Sequence, residues 1–279
     1  MASRSRQYID LILQALVKWP NWDPSHQIYV GDYGVVDKET GALNVQGNIY
    51  NDSDPLHVKI SEMTKKYPPE EAEAVEPEIV SKNVSKGELQ QDPGTPGVKE
   101  AEIKGTWKFN NKPGALLLMA QPQTTRMPKE LLVEMAPFKE ILEVESIVTE
   151  VTTCPAYSMY FSNADGNEVS LSLIGKIPTD ASSNQSTLPA KWWSSVKESS
   201  SAAAEPLRQG CDSTGLTKYT PLFAMKRRAI RKVVFRDLRR PIYDEPWVET
   251  RQAWEQLDDA GEEIIWEDPL FTAPDTWKP

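Results

Sequence analysis

Residues 157–173 read YSMYFSNADGNEVSLSL, and this stretch decides the fold. Tyr157, Met159 and Phe161 alternate with Ser158, Tyr160 and Ser162. After Asn163-Ala-Asp-Gly166, the residues Val169, Leu171 and Leu173 alternate with Ser170 and Ser172. A period of two on both sides of a Gly-bearing turn predicts a β-hairpin with one apolar face and one small, hydroxylic face. That pattern suits a sheet with one face on a core, and equally a barrel strand between lipid and water. The soluble sheet is the commoner solution and is the expectation taken here.

Working outward, Glu143–Cys154 is rich in Val, Ile and Thr and predicts a further strand, and Ile103–Phe109 predicts a short one. Ala115–Ala120 is an unbroken apolar run between Pro-Gly and Gln-Pro, too short for a helix, and reads as a buried strand. Pro128 opens a helix through Met135, with Leu131, Leu132 and Met135 inward and Pro137 closing it. Near the N-terminus Tyr8, Leu11, Ile12, Ala15, Leu16 and Trp19 recur at helical spacing, with Ser5 as N-cap and Pro20 as the stop. Arg4, Arg6 and Lys18 flank that helix, which suits an anionic bilayer, but docking on a sheet is favoured. From Gln27 to Tyr50 a hairpin is expected around Asp37–Gly41, with bends where Gly31, Gly34 and Gly47 punctuate it.

Two segments read as low-order excursions. Residues 65–100 are rich in Pro, Glu, Lys and Ser, and 178–215 are rich in Ser and Ala around Lys191-Trp192-Trp193. The paired Trp reads either as an interfacial anchor or as a local staple onto the core. Over 279 residues, 39% hydrophobic content supports a sizeable core, while 22 Pro imply much loop.

The chemistry of catalysis is sparse. There are only two His, His26 and His57, and the sequence has no HExxH, GxSxG, GxGxxG or P-loop. Cys154 and Cys211 lack CxxC spacing, so neither a metal nor a disulfide is indicated, and the compartment is read as reducing. Gly210-Cys-Asp-Ser-Thr-Gly215 reads as a turn. No cofactor and no enzyme activity are expected. The N-terminus is a poor secretory signal, so a cytoplasmic protein is expected, and the apolar runs fall short of the ~20 residues of a membrane helix.

The most informative boundary lies in the last fifth. Between Met225 and Arg240, Lys226, Arg227, Arg228, Arg231, Lys232, Arg236, Arg239 and Arg240 face only Asp237, a net charge of +7. From Pro241 to Pro279 eleven acids face Arg251 and Lys278, a net charge of −9. That tail also carries Trp247, Trp254, Trp266 and Trp277, and an acidic segment so rich in aromatics is built to dock rather than merely to stay solvated. Leu222–Leu238 reads as a basic amphipathic element. The tail reads as a helix capped at Asp244 and Pro246 and ending before Gly261, with Trp247, Trp254 and Leu257 on one face. The blocks together suggest a cationic surface with a built-in cover.

The order of elements resembles the gasdermin pore-forming family, in particular its small fungal members linked to regulated cell death and heterokaryon incompatibility. The resemblance rests on the N-terminal helix, on Val30-Gly-Asp-Tyr-Gly34 to Gly47-Asn-Ile-Tyr50, on Gly105-Thr-Trp-Lys-Phe109 to Met119, and on the Ile147–Phe161 strands. A basic end followed by a short tail completes it. The tail departs from the large helical C-terminal domain of animal gasdermins. The resemblance implies an α+β fold, a twisted antiparallel sheet with packed helices spanning 1–238, and a short inhibitory tail at 239–279. It further implies removal of the tail by a subtilisin-like protease, binding to acidic phospholipid, and homo-oligomerisation into a plasma-membrane pore. On this reading Lys226, Arg227, Arg228, Arg231, Lys232 and Arg236 meet lipid. The cut falls among Phe235, Leu238, Arg239 and Arg240, and Trp247, Trp254, Leu257 and Trp266 hold the tail. The alternative is a non-enzymatic adaptor, or an anion-binding module that docks nucleic acid through residues 226–240. The formal charge of −10 argues against nucleic acid for the chain as a whole.

Overall fold

The computed structural model describes residues 3–73, 75–89, 98, 101–110, 113–137, 145–163, 166–175, 177, 189–197, 207–215, 218–228, 247–250, 254 and 257. Within them the chain forms an α+β arrangement of antiparallel sheets with three helices.

Helix α1 (Arg4–Leu16) is capped by Ser3, whose hydroxyl accepts from the Arg6 N–H at 3.3 Å. The expected cap, Ser5, is instead a buried residue of the first turn, 2.9 Å from the Ser3 hydroxyl. The helix stops at Leu16, earlier than Pro20, because Val17 turns left-handed and its N–H closes on the Leu13 carbonyl. Trp19 and Pro20 then form strand β1 (Trp19–Pro20). Strands β2 (Asp32–Val36) and β3 (Leu43–Asn48) make the early hairpin around Asp37–Gly41, with the expected irregularity at Tyr33/Gly34. Gly34 permits that close approach, since a Cβ there would sit 2.0 Å from the Asn44 carbonyl oxygen.

Helix α2 (Pro55–Lys66) was not expected. Its sequence signal is plain in retrospect: Asp54 accepts from the Leu56 N–H at 2.8 Å, Pro55 fills the first turn, and Leu56 and Ile60 are buried four residues apart. The first excursion is likewise more ordered than its composition implies, holding β4 (Glu70–Ala72), β5 (Glu78–Val80) and β6 (Val84–Gly87). Then come β7 (Lys104–Phe109), β8 (Gly114–Ala120), β9 (Gln123–Arg126) and α3 (Lys129–Met135), the last with Leu131, Leu132 and Met135 buried as read. They are followed by β10 (Ser146–Cys154), β11 (Ala156–Ser162) and β12 (Glu168–Ile174). The second excursion contains β13 (Lys191–Lys197) and β14 (Arg208–Cys211), and beyond it lie β15 (Tyr219–Arg228) and β16 (Trp247–Glu249).

The stretch 157–173 is two strands, but not a hairpin. β11 pairs with β8 and β14, whereas β12 pairs with β7 and β13 in a separate sheet. The reason is burial on both faces of β11. Tyr157, Met159 and Phe161 pack against Tyr8 and Ile12 of α1, while Tyr160 on the opposite face stacks edge-on to Phe109 of the other sheet, centroids 5.1 Å apart. The hydroxylic face of β11 is therefore interior, with Ser158 accepting from Gln209 and Ser162 from Asn167. These two four-stranded sheets share one core, with α1 covering the outer face of the first.

The third sheet runs β1-β15-β10-β2-β3, with β9 and β4 continuing from β10 and β16 added to β15. α2 and α3 pack on it through Leu56, Ile60, Leu131 and Met135. The paired Trp of 192–193 lies on β13, and Trp192 donates to the Gly210 carbonyl at 3.1 Å, so it staples strands together.

Candidate functional site

The charge boundary singled out in the sequence becomes a joint between strands. β15 crosses the sheet centre through apolar Leu222, Phe223 and Met225 and then runs into the first bases of the cationic block. The described part of the basic amphipathic element expected over Leu222–Leu238 is this strand, and residues 229–238 lie outside the described residues. Beyond its pairing with β1 at 222–223, the same edge is taken by β16, with Lys226 opposite Glu249, Arg227 opposite Val248 and Arg228 opposite Trp247. The Thr250 N–H extends the ladder to the Met225 carbonyl at 2.9 Å.

Residues 247–249 are thus a strand rather than part of a helix. An exposed edge offers each tail N–H and C=O a partner, and this tertiary gain outweighs local helical preference. Trp247 and Trp254 still reach one core, but by way of a strand and a bend instead of a single helical face.

Two kinds of interaction meet here, and their sizes differ. Lys226 Nζ lies 3.3 Å from Glu249 Oε1, but Glu249 is 55% exposed, and such a pair contributes roughly 0–1 kcal/mol. Trp247 is 4% exposed and its Nε1–H donates to the Leu132 carbonyl at 2.6 Å. Trp254 is 7% exposed and meets Trp19 edge-on at 5.7 Å, and the Arg6 guanidinium lies 4.9 Å from its ring centroid. Trp19 in turn donates to the Thr250 carbonyl. Leu257 is buried in the same cluster. Fully burying a side chain of this kind contributes about 1.5–3 kcal/mol, so apolar burial rather than charge dominates the described part of the joint.

Asp10, the acid interrupting the apolar stripe of α1, sits at the centre. It is buried, accepts from Gln14 Nε2 at 2.7 Å and from the Leu257 backbone N–H, and lies close to Arg6. Burial pushes its carboxyl above the usual range, while these donors and the Arg6 charge pull the other way without prevailing. The buried Trp254 indole N–H lies near the same carboxylate without closing a well-formed hydrogen bond. Gly41, left-handed at φ 75°, leaves room for Trp254: a Cβ there would lie 2.8 Å from Trp254 Cη2.

Of the residues singled out from sequence, Lys226, Arg227, Arg228, Trp247, Trp254 and Leu257 fall in the described residues and are brought together. Arg231, Lys232, Phe235, Arg236, Leu238, Arg239, Arg240 and Trp266 lie outside them. Sequence reasoning missed Arg6, Asp10, Trp19, Gly41 and Leu132 as tail contacts. Only Asp10 carried a visible signal, as a lone acid on an apolar helical face.

Other chemistry is weak. Burial pushes the thiols of Cys154 and Cys211 up, away from thiolate character. His57 is buried, its Nδ1 2.7 Å from the Ile49 carbonyl and its Nε2 3.1 Å from Asp52, a structural arrangement tying α2 to the preceding loop. Gly210–Gly215 begins on β14 and then turns, with Asp212 accepting from the Thr214 N–H and Gly215 left-handed. Among the described residues no group of three or more His, Cys, Asp or Glu is placed to hold a metal, and no helix is long and apolar enough to cross a membrane. No protein-family model, curated protein or solved structure matches the chain.

Proposed function

We propose that the chain is a gasdermin-like pore-forming protein held inactive by its own C-terminal tail. In this reading, cleavage between the basic and acidic blocks, near Arg239-Arg240, lets the tail leave. The bases from Lys226 to Arg236 then meet acidic phospholipid, and copies assemble in the plasma membrane to execute regulated cell death. The activating protease is subtilisin-like by resemblance alone.

The observation that carries the reading is β16 lying on the β15 edge with Glu249 against Lys226 and with Trp247 and Trp254 buried in the body. Each base near an anionic leaflet contributes about 1 kcal/mol, so a block with a net charge of +7 contributes several in total. While covalently attached, the tail competes for that edge at an effective concentration in the millimolar range. Cutting the chain abolishes this advantage without changing a single contact.

The test is dye release from vesicles containing phosphatidylserine, using the intact chain and a chain with a protease site engineered at residues 239–240 and cleaved after folding. Leakage is expected only from the cleaved chain, and it should weaken with salt and vanish on zwitterionic vesicles. Silent vesicles under a folded, tail-free body would sink the proposal.

One observation favours a second reading, that of a structural or adaptor protein whose tail is the last layer of its core. Trp247, Trp254 and Leu257 belong to the same cluster as Ile147, Phe223 and Leu131. On that reading tail loss unfolds the body cooperatively and creates no activity, which thermal melts of the cleaved chain distinguish.

A further inference from the structure

A cavity of about 590 Å³ opens beside the large sheet, and its size is that of a small-molecule site, roughly 300–1,000 Å³. It lies where the segment leading into β2, the loop after β3, and the strands β9, β10 and β15 converge. Ile28, Val30 and Val151, themselves packed into the core, form its apolar floor, and the rings of Tyr29 and Tyr50 present the accessible apolar surface. Tyr29 is 57% exposed, an aromatic ring left at the rim. Thr125 and Thr153 add hydroxyls from adjacent strands, held in place by the β9–β10 ladder.

The charge of the lining is one-sided. Lys218 is its single ionic residue, and no carboxylate lines it. Lys218 Nζ donates to the Gln123 side-chain oxygen at 2.6 Å, a neutral partner that leaves the ammonium charge and its other two donors available. Backbone order near the rim is secured independently, since Gln27 donates to the Lys218 carbonyl and the Ile28 N–H to Thr220.

We infer that this cavity binds a long-chain carboxylate, its hydrocarbon chain along the Tyr29 and Tyr50 rings over the floor of Ile28, Val30 and Val151 and its carboxylate at Lys218. The apolar interior selects hydrocarbon. One ammonium beside neutral hydroxyls and amides matches a monoanion; a phosphate dianion would leave charge uncompensated. No tail residue lines the site, and the inference does not depend on the pore-forming reading.

The test uses the full chain and oleate, with oleyl alcohol as the neutral probe of equal chain length and lysophosphatidic acid as the phosphate probe, all by isothermal titration. Saturable binding of one oleate per chain is expected, with oleyl alcohol and lysophosphatidic acid each at least tenfold weaker. K218Q should weaken oleate at least tenfold and leave oleyl alcohol unchanged. T153W, which fills the cavity, should abolish both, with its circular dichroism and melting midpoint verifying the fold. If T153W fails to fold, T125L serves as the filling variant. The inference is overturned by non-saturable uptake, by oleyl alcohol or lysophosphatidic acid binding as well as oleate, or by oleate affinity indifferent to K218Q and to the filling variant.

Discussion

Truncating Trp254 to Ala tests what grips the tail. The indole is 7% exposed, edge-on to Trp19 at 5.7 Å and under the Arg6 guanidinium at 4.9 Å. Removing a buried Trp side chain to Ala costs about 3–5 kcal/mol, where the Lys226–Glu249 pair contributes at most about 1 kcal/mol. At about 1.4 kcal/mol per decade, W254A should weaken tail binding by roughly two to three and a half decades, and E249Q by less than one. The assay is retention of the tail by the chain cleaved at 239–240, followed by anisotropy of a dye at the tail's C-terminus as the complex is diluted. Cleaved W254A should lose its tail at concentrations where the cleaved parent keeps it. Uncleaved W254A should remain docked for as long as its weakened dissociation constant stays below the millimolar effective concentration of an attached segment. Retention by W254A within threefold of the parent, or a larger loss from E249Q than from W254A, would refute the argument that burial dominates.

Two further outcomes concern the same joint. Asp10 has a raised pKa in the docked state because burial outweighs its donors, the Leu257 N–H of the tail among them, and the docked tail is expected to keep water from it. Tail release lets the pKa fall back, so docking takes up protons: it is strongest below the ordinary aspartate range and weakens as pH rises through the raised value. Tail retention by the cleaved chain should therefore decrease as pH rises above the ordinary aspartate range, and D10N should flatten the profile; retention that rises with pH would contradict the assignment. At Gly41, φ 75°, an added Cβ would meet Ile9 Cδ1 at 2.6 Å and Trp254 Cη2 at 2.8 Å. G41A should cost about 1–3 kcal/mol in urea melts and also loosen the tail. G166A, also at a left-handed turn but in the connection between β11 and β12, should cost stability alone, and equal tail loss from both variants would show that Gly41 does not act through Trp254.

The individual elements were legible where local pattern and final environment agree. Ala115–Ala120 reads as a doubly buried strand because nothing in it tolerates water, and 128–135 as a helix because Pro128 and the Leu131, Leu132, Met135 stripe coincide. Pairing was less legible. Alternation in 157–173 specifies two strands and their faces, but β11 pairs with β8 and β14, and its Tyr160 meets Phe109 of the other sheet 51 residues away in sequence, choices that no local period encodes. Composition misled at 70–72, 78–80, 84–87, 191–197 and 208–211, where short polar strands such as β6 gain their order from a neighbour's edge rather than from apolar content of their own, while 90–97, 99–100, 178–188 and 198–206 lie outside the described residues. Residues 247–249 are a strand rather than helix for the same reason: β15 has an edge to fill. The docking of Trp247 and Trp254 was legible, since aromatics in an acidic segment have few other uses. The Asp10 latch was not, because a lone acid in a helix says nothing about which distant segment will cover it.

On the proposed reading, the two halves of the charge boundary do different work. Opposite sign draws the tail to the basic edge, but the described ion pair is too exposed to hold it, and Trp247, Trp254 and Leu257 do the holding. A protease cut therefore does not by itself free the edge, because it leaves every buried contact in place and removes only the effective concentration. What remains is a non-covalent complex bound by several kcal/mol, set against several kcal/mol of attraction between the bases and an anionic surface. Terms of similar size make the membrane itself a competitor for the tail's place. Cleaved chain should consequently keep its tail in dilute buffer longer than on phosphatidylserine vesicles, with vesicle-driven release suppressed as rising salt screens the bases. Equal release with and without vesicles would mean that the tail and the lipid do not contend for the same surface.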